Sequence, residues 1–138
     1  MAKIKLLLVD DDKNYAEALL YVLEANNYEV AVAYSREEGL AKLKETEPDL
    51  IILDVMMGTR AEGILFARKV RRTKEYAAYA KTPILVLTGM REQTGFFFPG
   101  EAKNPVFFPI DDLLEKPVKP LLLLAKVAEL LGRRPAPR

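Results

Sequence analysis

Short apolar runs alternate along this chain with stretches whose apolar residues recur every three or four positions. Ile4 to Val9 is nearly continuous in apolar residues, as expected of a strand buried on both faces. Lys13 to Asn26 places Ala16, Leu19, Leu20 and Leu23 on one helical stripe, and Asn26-Asn27 supplies a stop. Tyr28 to Tyr34 is a β-rich run containing Val30 and Val32. Ser35-Arg36-Glu37-Glu38 has the form of a capping box, so a helix carrying Leu40 and Leu43 is predicted to start there and to end before Pro48. Leu50 to Leu53 is the next buried-strand run. Around residues 62–74, Gly63, Phe66, Ala67 and Val70 fall within one arc of a helix. Pro83 opens the strand run Ile84 to Leu87, and Leu113-Leu114 is a shorter one. The last predicted helix runs from Lys119 to Leu131, with Pro120 tolerated in its first turn, Leu124, Val127 and Leu131 as its inner stripe, and Gly132 as its stop.

Apolar strands alternating with helices predict an α/β domain with a central parallel sheet covered on both sides. Five such strands match the doubly wound, flavodoxin-like order 2-1-3-4-5. One part of the pattern breaks. Between Thr88 and Lys116 lie Gly95, Phe96, Phe97, Phe98, Pro99, Gly100, Pro105, Phe107, Phe108 and Pro109. These residues leave little room for a regular helix, so the fourth helix is expected to be irregular or shortened.

Composition narrows the chemistry. The 138 residues include 21 Lys plus Arg and 20 Asp plus Glu, a net charge of +1, which lacks the footprint of a dedicated nucleic-acid binder. Cys and His are both absent, removing disulfides, thiolate or imidazole metal sites and His-based triads. The apolar run at the N-terminus is too short for a signal peptide or a membrane span, so a cytoplasmic protein is expected.

The residues just past each apolar run carry the candidate chemistry. They are Asp10, Asp11 and Asp12 after the first run, Asp54 after the third, Thr88 and Gly89 after the fourth, and Glu115, Lys116 and Pro117 after the fifth. In a parallel sheet all of them lie at the carboxyl edge, where the strand order reverses and such folds bind ligands. Clustered carboxylates need a proton or a cation, and an oxygen-only donor set suits Mg²⁺. Mg²⁺, a Thr hydroxyl and a Lys beside a carboxylate are the equipment for phosphoryl transfer, with Asp54 able to act as the nucleophile. Asp12 reads as a helix-start residue and not as a ligand.

Leu-Leu-Val-Asp-Asp at 7–11, Leu-Asp-Val-Met-Met at 53–57, Leu-Thr-Gly at 87–89 and Glu-Lys-Pro at 115–117 together resemble the receiver domain of two-component response regulators. The resemblance implies Asp54 as phosphoacceptor, Asp11 as a direct Mg²⁺ ligand, Asp10 as a ligand through water, and the Met56 backbone carbonyl on the metal. It also implies Thr88 as switch residue and Lys116 as the phosphoryl contact, with Gly89 and Pro117 in support. A sensor histidine kinase or phosphotransfer protein would donate the phosphoryl group, and a downstream protein would read it. No enzyme activity is implied beyond self-phosphorylation and autodephosphorylation, and the latter is expected to be slow because Met56 and Met90 would flank the path of the hydrolytic water.

Departures from the family pattern are visible. Gly58 replaces the usual Pro, the following Gly falls at 63, and Leu113 stands where the family often has an aromatic switch residue. The expectation is a stand-alone receiver at residues 1–131 with a flexible basic tail at 132–138 and no output domain. It would signal through protein contact without direct nucleic-acid or membrane binding. Phe96, Phe97 and Phe98, with Leu121 and Leu122 off the stripe of the last helix, are the candidate partner face, and the two leucines also suit a homodimer. The alternatives are a haloacid-dehalogenase-type phosphohydrolase, suggested by Asp10-x-Asp12, and a phosphate-independent adaptor. Against the hydrolase, Asn14 stands where a Thr or Val is expected, and the chain is too short for the usual cap domain.

Overall fold

The computed structural model describes residues 3–54, 60–88 and 110–133. Five parallel strands form one sheet in the order β2-β1-β3-β4-β5, with β1 at Lys5–Val9, β2 at Glu29–Ala33, β3 at Leu50–Asp54, β4 at Ile84–Thr88 and β5 at Asp112–Glu115. This is the expected doubly wound order. The 89–112 stretch, where the shortened fourth helix was expected, lies outside the described residues up to 109.

Side-chain alternation along the strands builds two cores, one on each face. Leu7, Val9, Ile51, Leu53, Ile84 and Val86 point to one side, under helices α2 (Arg36–Thr46) and α3 (Arg60–Arg72). Leu6, Leu8, Leu50, Ile52, Leu85 and Leu87 point to the other, under α1 (Lys13–Ala25) and a C-terminal helix at Pro120–Arg133. Every residue of β3 and β4 is buried, which explains why these strands read as continuous apolar runs.

Local signals set the helix starts. Ser35 Oγ accepts from the Glu38 N–H at 3.1 Å, and Glu38 Oε1 accepts from the Tyr34 N–H at 2.9 Å, so the capping box forms one residue wider than its usual reciprocal form. Asp12 caps α1 by accepting from the Tyr15 N–H at 3.1 Å. At the other end of α1, Asn27 takes a positive φ of 72°, a left-handed conformation that Asn tolerates.

Three elements differ from the sequence reading. Helix α3 starts and ends two residues earlier than 62–74, and its end is set by Thr73, which adopts extended dihedrals. A 3₁₀ helix follows at Lys74–Tyr79, anchored by buried Tyr76, where no periodicity was visible. The C-terminal helix buries Leu123, Val127 and Leu130, while Leu124 and Leu131 are only partly buried. Four consecutive leucines at 121–124 fit either phase, so spacing alone chose the wrong one. That helix also continues through Gly132 to Arg133, a Gly costing a helix only about 1 kcal/mol.

Candidate functional site

The site grows out of the ends of β1, β3, β4 and β5. The Asp10 N–H donates to the Ala33 carbonyl at 3.0 Å, extending the β1–β2 ladder by one residue and fixing where its side chain begins. Val9 pairs with Leu53, so Asp10 and Asp54 follow as neighbours across β1 and β3. Asp54 pairs with Leu87, which sets Thr88 one residue further along β4. Thr88 pairs in turn with Glu115, and its carbonyl accepts from the Lys116 N–H at 2.8 Å. Register thus delivers each predicted residue to one edge.

Asp10, Asp54 and Thr88 are all buried, whereas Asp11 is exposed. One carboxylate oxygen from each of Asp10, Asp11 and Asp54 lies within 4.8 Å of the others. Lys116 Nζ closes the group, 3.2 Å from Asp10 Oδ2 and 3.4 Å from Asp54 Oδ2. The other oxygen of Asp10 accepts from the Asp12 N–H at 2.9 Å. The Lys116–Pro117 peptide bond is cis.

Burial pushes the Asp10 carboxyl up to about 7, and the Asp54 charge adds to the rise, while the Asp12 N–H and Lys116 oppose it. Burial alone would pull the Lys116 ammonium down. Asp54 and then Asp10 outweigh that effect and hold it above its ordinary value. A divalent cation fits this donor set. It would meet three carboxylate oxygens in reach of one another, one of them on a group that is costly to ionise without a counter-charge.

The match to the response regulator receiver domain covers residues 6–128. This chain belongs to that family. The receiver is 34% identical over 129 residues to the alkaline phosphatase synthesis transcriptional regulatory protein PhoP of Bacillus subtilis, which aligns with 94% of this chain and 49% of that protein. It is 35% identical over 130 residues to the transcriptional regulatory protein ResD of the same organism, covering 94% of this chain and 48% of that one. The chain therefore spans about half the length of the curated relatives it matches. Among solved structures, the Vibrio cholerae chemotaxis protein CheY4 superposes with a TM-score of 0.78 at 30% identity, covering 94% of this chain and 99% of that one. A two-component response regulator from Clostridium difficile gives 0.77 at 27% identity, covering 95% and 98%. The receiver's near-neutral charge speaks only for these 138 residues, and relatives named as transcriptional regulators extend well beyond the region they share with it.

Asp10, Asp11, Asp54 and Lys116 are brought together as expected, with Thr88 tied to Lys116 through the backbone. Asp12, the second acid of the hydrolase alternative, caps α1 as a helix-start residue should. Leu121 and Leu122 lie off the buried stripe, the former 81% exposed. Met56, Gly89, Met90 and Phe96 to Phe98 fall outside the described residues. Among the described residues, no helix is long and apolar enough to cross a membrane.

One residue at the site escaped the sequence reading. The Lys116 ammonium sits over the ring of Tyr15, 4.3 Å from its centroid, and the Tyr15 hydroxyl accepts from the Val118 N–H at 3.1 Å. Its signal was an aromatic three residues past the helix-capping Asp12, on the turn that faces the carboxyl edge.

Proposed function

We propose that this receiver accepts a phosphoryl group on Asp54 from a cytoplasmic histidine kinase or phosphotransfer protein, and then signals by protein contact. The observation that carries the reading is the convergence of three carboxylate oxygens within 4.8 Å of one another with Lys116 Nζ 3.4 Å from Asp54. An Asp54 carboxylate oxygen attacks phosphorus as the bond to the donor's leaving atom breaks, and the leaving group departs with its electron pair. Lys116 offsets negative charge on the transferred group, and the Thr88 hydroxyl at the neighbouring strand end responds to it. Asp10, Asp11, Asp54 and the Met56 carbonyl would hold Mg²⁺. That ion supplies charge neutralisation at the phosphoryl oxygens. The apolar surface at Leu121 and Leu122 is the part of the described receiver that we assign to a protein partner or to a second copy.

Acetyl phosphate with Mg²⁺, read by intact mass spectrometry, should give one phosphoryl adduct on the parent. Asp54→Asn, which removes the attacking oxygen anion, should give none while keeping the parent's circular dichroism. An adduct of equal yield on Asp54→Asn would move the acceptor elsewhere. Continuous release of phosphate from monoesters would instead make the chain a hydrolase.

A further inference from the structure

Lys116 is gripped at both ends. Its N–H is bonded to Thr88, and its ammonium meets Asp10, Asp54 and the face of Tyr15. The carboxylates supply attraction, but a lysine on a four-carbon stem can satisfy two acids from several directions. The ring supplies direction. An aromatic face attracts a cation within about 6 Å without accepting a strong hydrogen bond, so the ammonium keeps its donors for oxygens. The ring is itself anchored, since its hydroxyl accepts from the Val118 N–H and the Tyr15 backbone N–H, donating to Asp12 Oδ1, fixes the first turn of α1 that carries it. Tyr15 packs on the α1 side of the sheet, whereas Leu113 of β5 packs against the core of the opposite side.

We propose that Tyr15 is a positioning residue for Lys116, keeping the ammonium where a phosphoryl group on Asp54 requires it. This inference rests on the phosphoacceptor reading above. Ordering a long side chain before reaction removes an entropic cost from the transfer step. A purely structural Tyr15 would instead fill space in the α1 core and satisfy Val118, with no effect that runs through the ammonium.

Two substitutions in the full chain separate these roles. Tyr15→Leu keeps apolar bulk and removes the ring face, whereas Tyr15→Phe keeps the ring and removes the acceptor for the Val118 N–H. Tyr15→Met replaces the Leu variant if that one melts at the assay temperature. Three quantities are measured: the initial rate of adduct formation from acetyl phosphate, the Mg²⁺ midpoint by thermal shift, and acetylation of Lys116 by acetic anhydride, mapped by peptide mass. Tyr15→Leu should slow adduct formation by roughly 3- to 30-fold, the span expected for losing one cation–π contact. The Mg²⁺ midpoint should not move, and Lys116 should acetylate faster. Tyr15→Phe should recover most of the rate despite a lower melting temperature. In a Lys116→Ala background, Tyr15→Leu should cost nothing further, because its partner is gone. Equal slowing by the Phe and Leu variants would overturn the proposal, as would a full Tyr15→Leu effect without Lys116. If the parent takes no phosphoryl group while acetylation still depends on the ring, the phosphoacceptor reading fails and this role falls with it. If the parent is phosphorylated and neither rate nor acetylation depends on the ring, only the Tyr15 proposal fails.

Discussion

At Asp10, burial and the Asp54 charge act in the same direction, and the folded carboxyl is pushed up to about 7 from 3.8. Between those values the folded chain holds a proton that the unfolded chain has already released. This group's contribution favours folding below the unfolded value and is lost as pH rises through the folded one. The metal-free receiver should therefore lose melting temperature between roughly pH 4 and pH 7 relative to Asp10→Asn, which cannot ionise. Above pH 7, Mg²⁺ should narrow that gap in the parent. Parallel melting curves for the two proteins across this range, with a chelator present, would show that the Asp10 charge carries no such penalty. Residues of this kind were legible in the sequence because each follows an apolar run, and a buried parallel strand has to end at the sheet edge. Tyr15 was not, because an aromatic in the first turn of an amphipathic helix has the same appearance whether it packs on leucine or under an ammonium.

Among the elements, α2 meets α3 through Gly39. A Cβ there would lie 2.9 Å from Phe66 Cε2 and 3.1 Å from Val9 Cγ1. Phe66 and Val9 are both fully buried, so neither can swing aside into solvent. Alanine gains up to about 1 kcal/mol of helix propensity, but overpacking a close contact costs about 1–3 kcal/mol. Gly39→Ala should thus lower the urea midpoint, and Phe66→Leu in that background should recover part of the loss. An unchanged midpoint in the single variant would mean the helix shifts without cost. Periodicity correctly placed Gly63, Phe66, Ala67 and Val70 on one inward arc of α3. It failed at the C-terminal helix, where Val127 belongs to both possible stripes and the leucine run removes the contrast between inside and outside. It missed Lys74–Tyr79 because this short 3₁₀ segment is kinked at Tyr76 and buries that residue alone, and one residue has no period.

For the molecule as a whole, the central strands belong to both cores at once. Each of β1, β3 and β4 sends alternate side chains into the two apolar clusters, whereas edge strands β2 and β5 are mostly half-buried. Pulling any one of these strands out of the sheet would disrupt both cores at once, since the same backbone carries residues of each. Amide hydrogens of Leu7, Ile52 and Val86 should then exchange with deuterium only through global unfolding, and should share one opening free energy equal to that from denaturant. Amides of β5 should exchange through smaller openings. Measurably faster exchange in β3 than in β1 would break this unit into two. The consequence reaches signalling. A charge placed on Asp54, as the phosphoacceptor reading proposed above requires, would sit at the tip of the most deeply buried strands among the described residues, which have little room to absorb it by deforming. Its mechanical effect has to leave through whatever is attached to the strand ends.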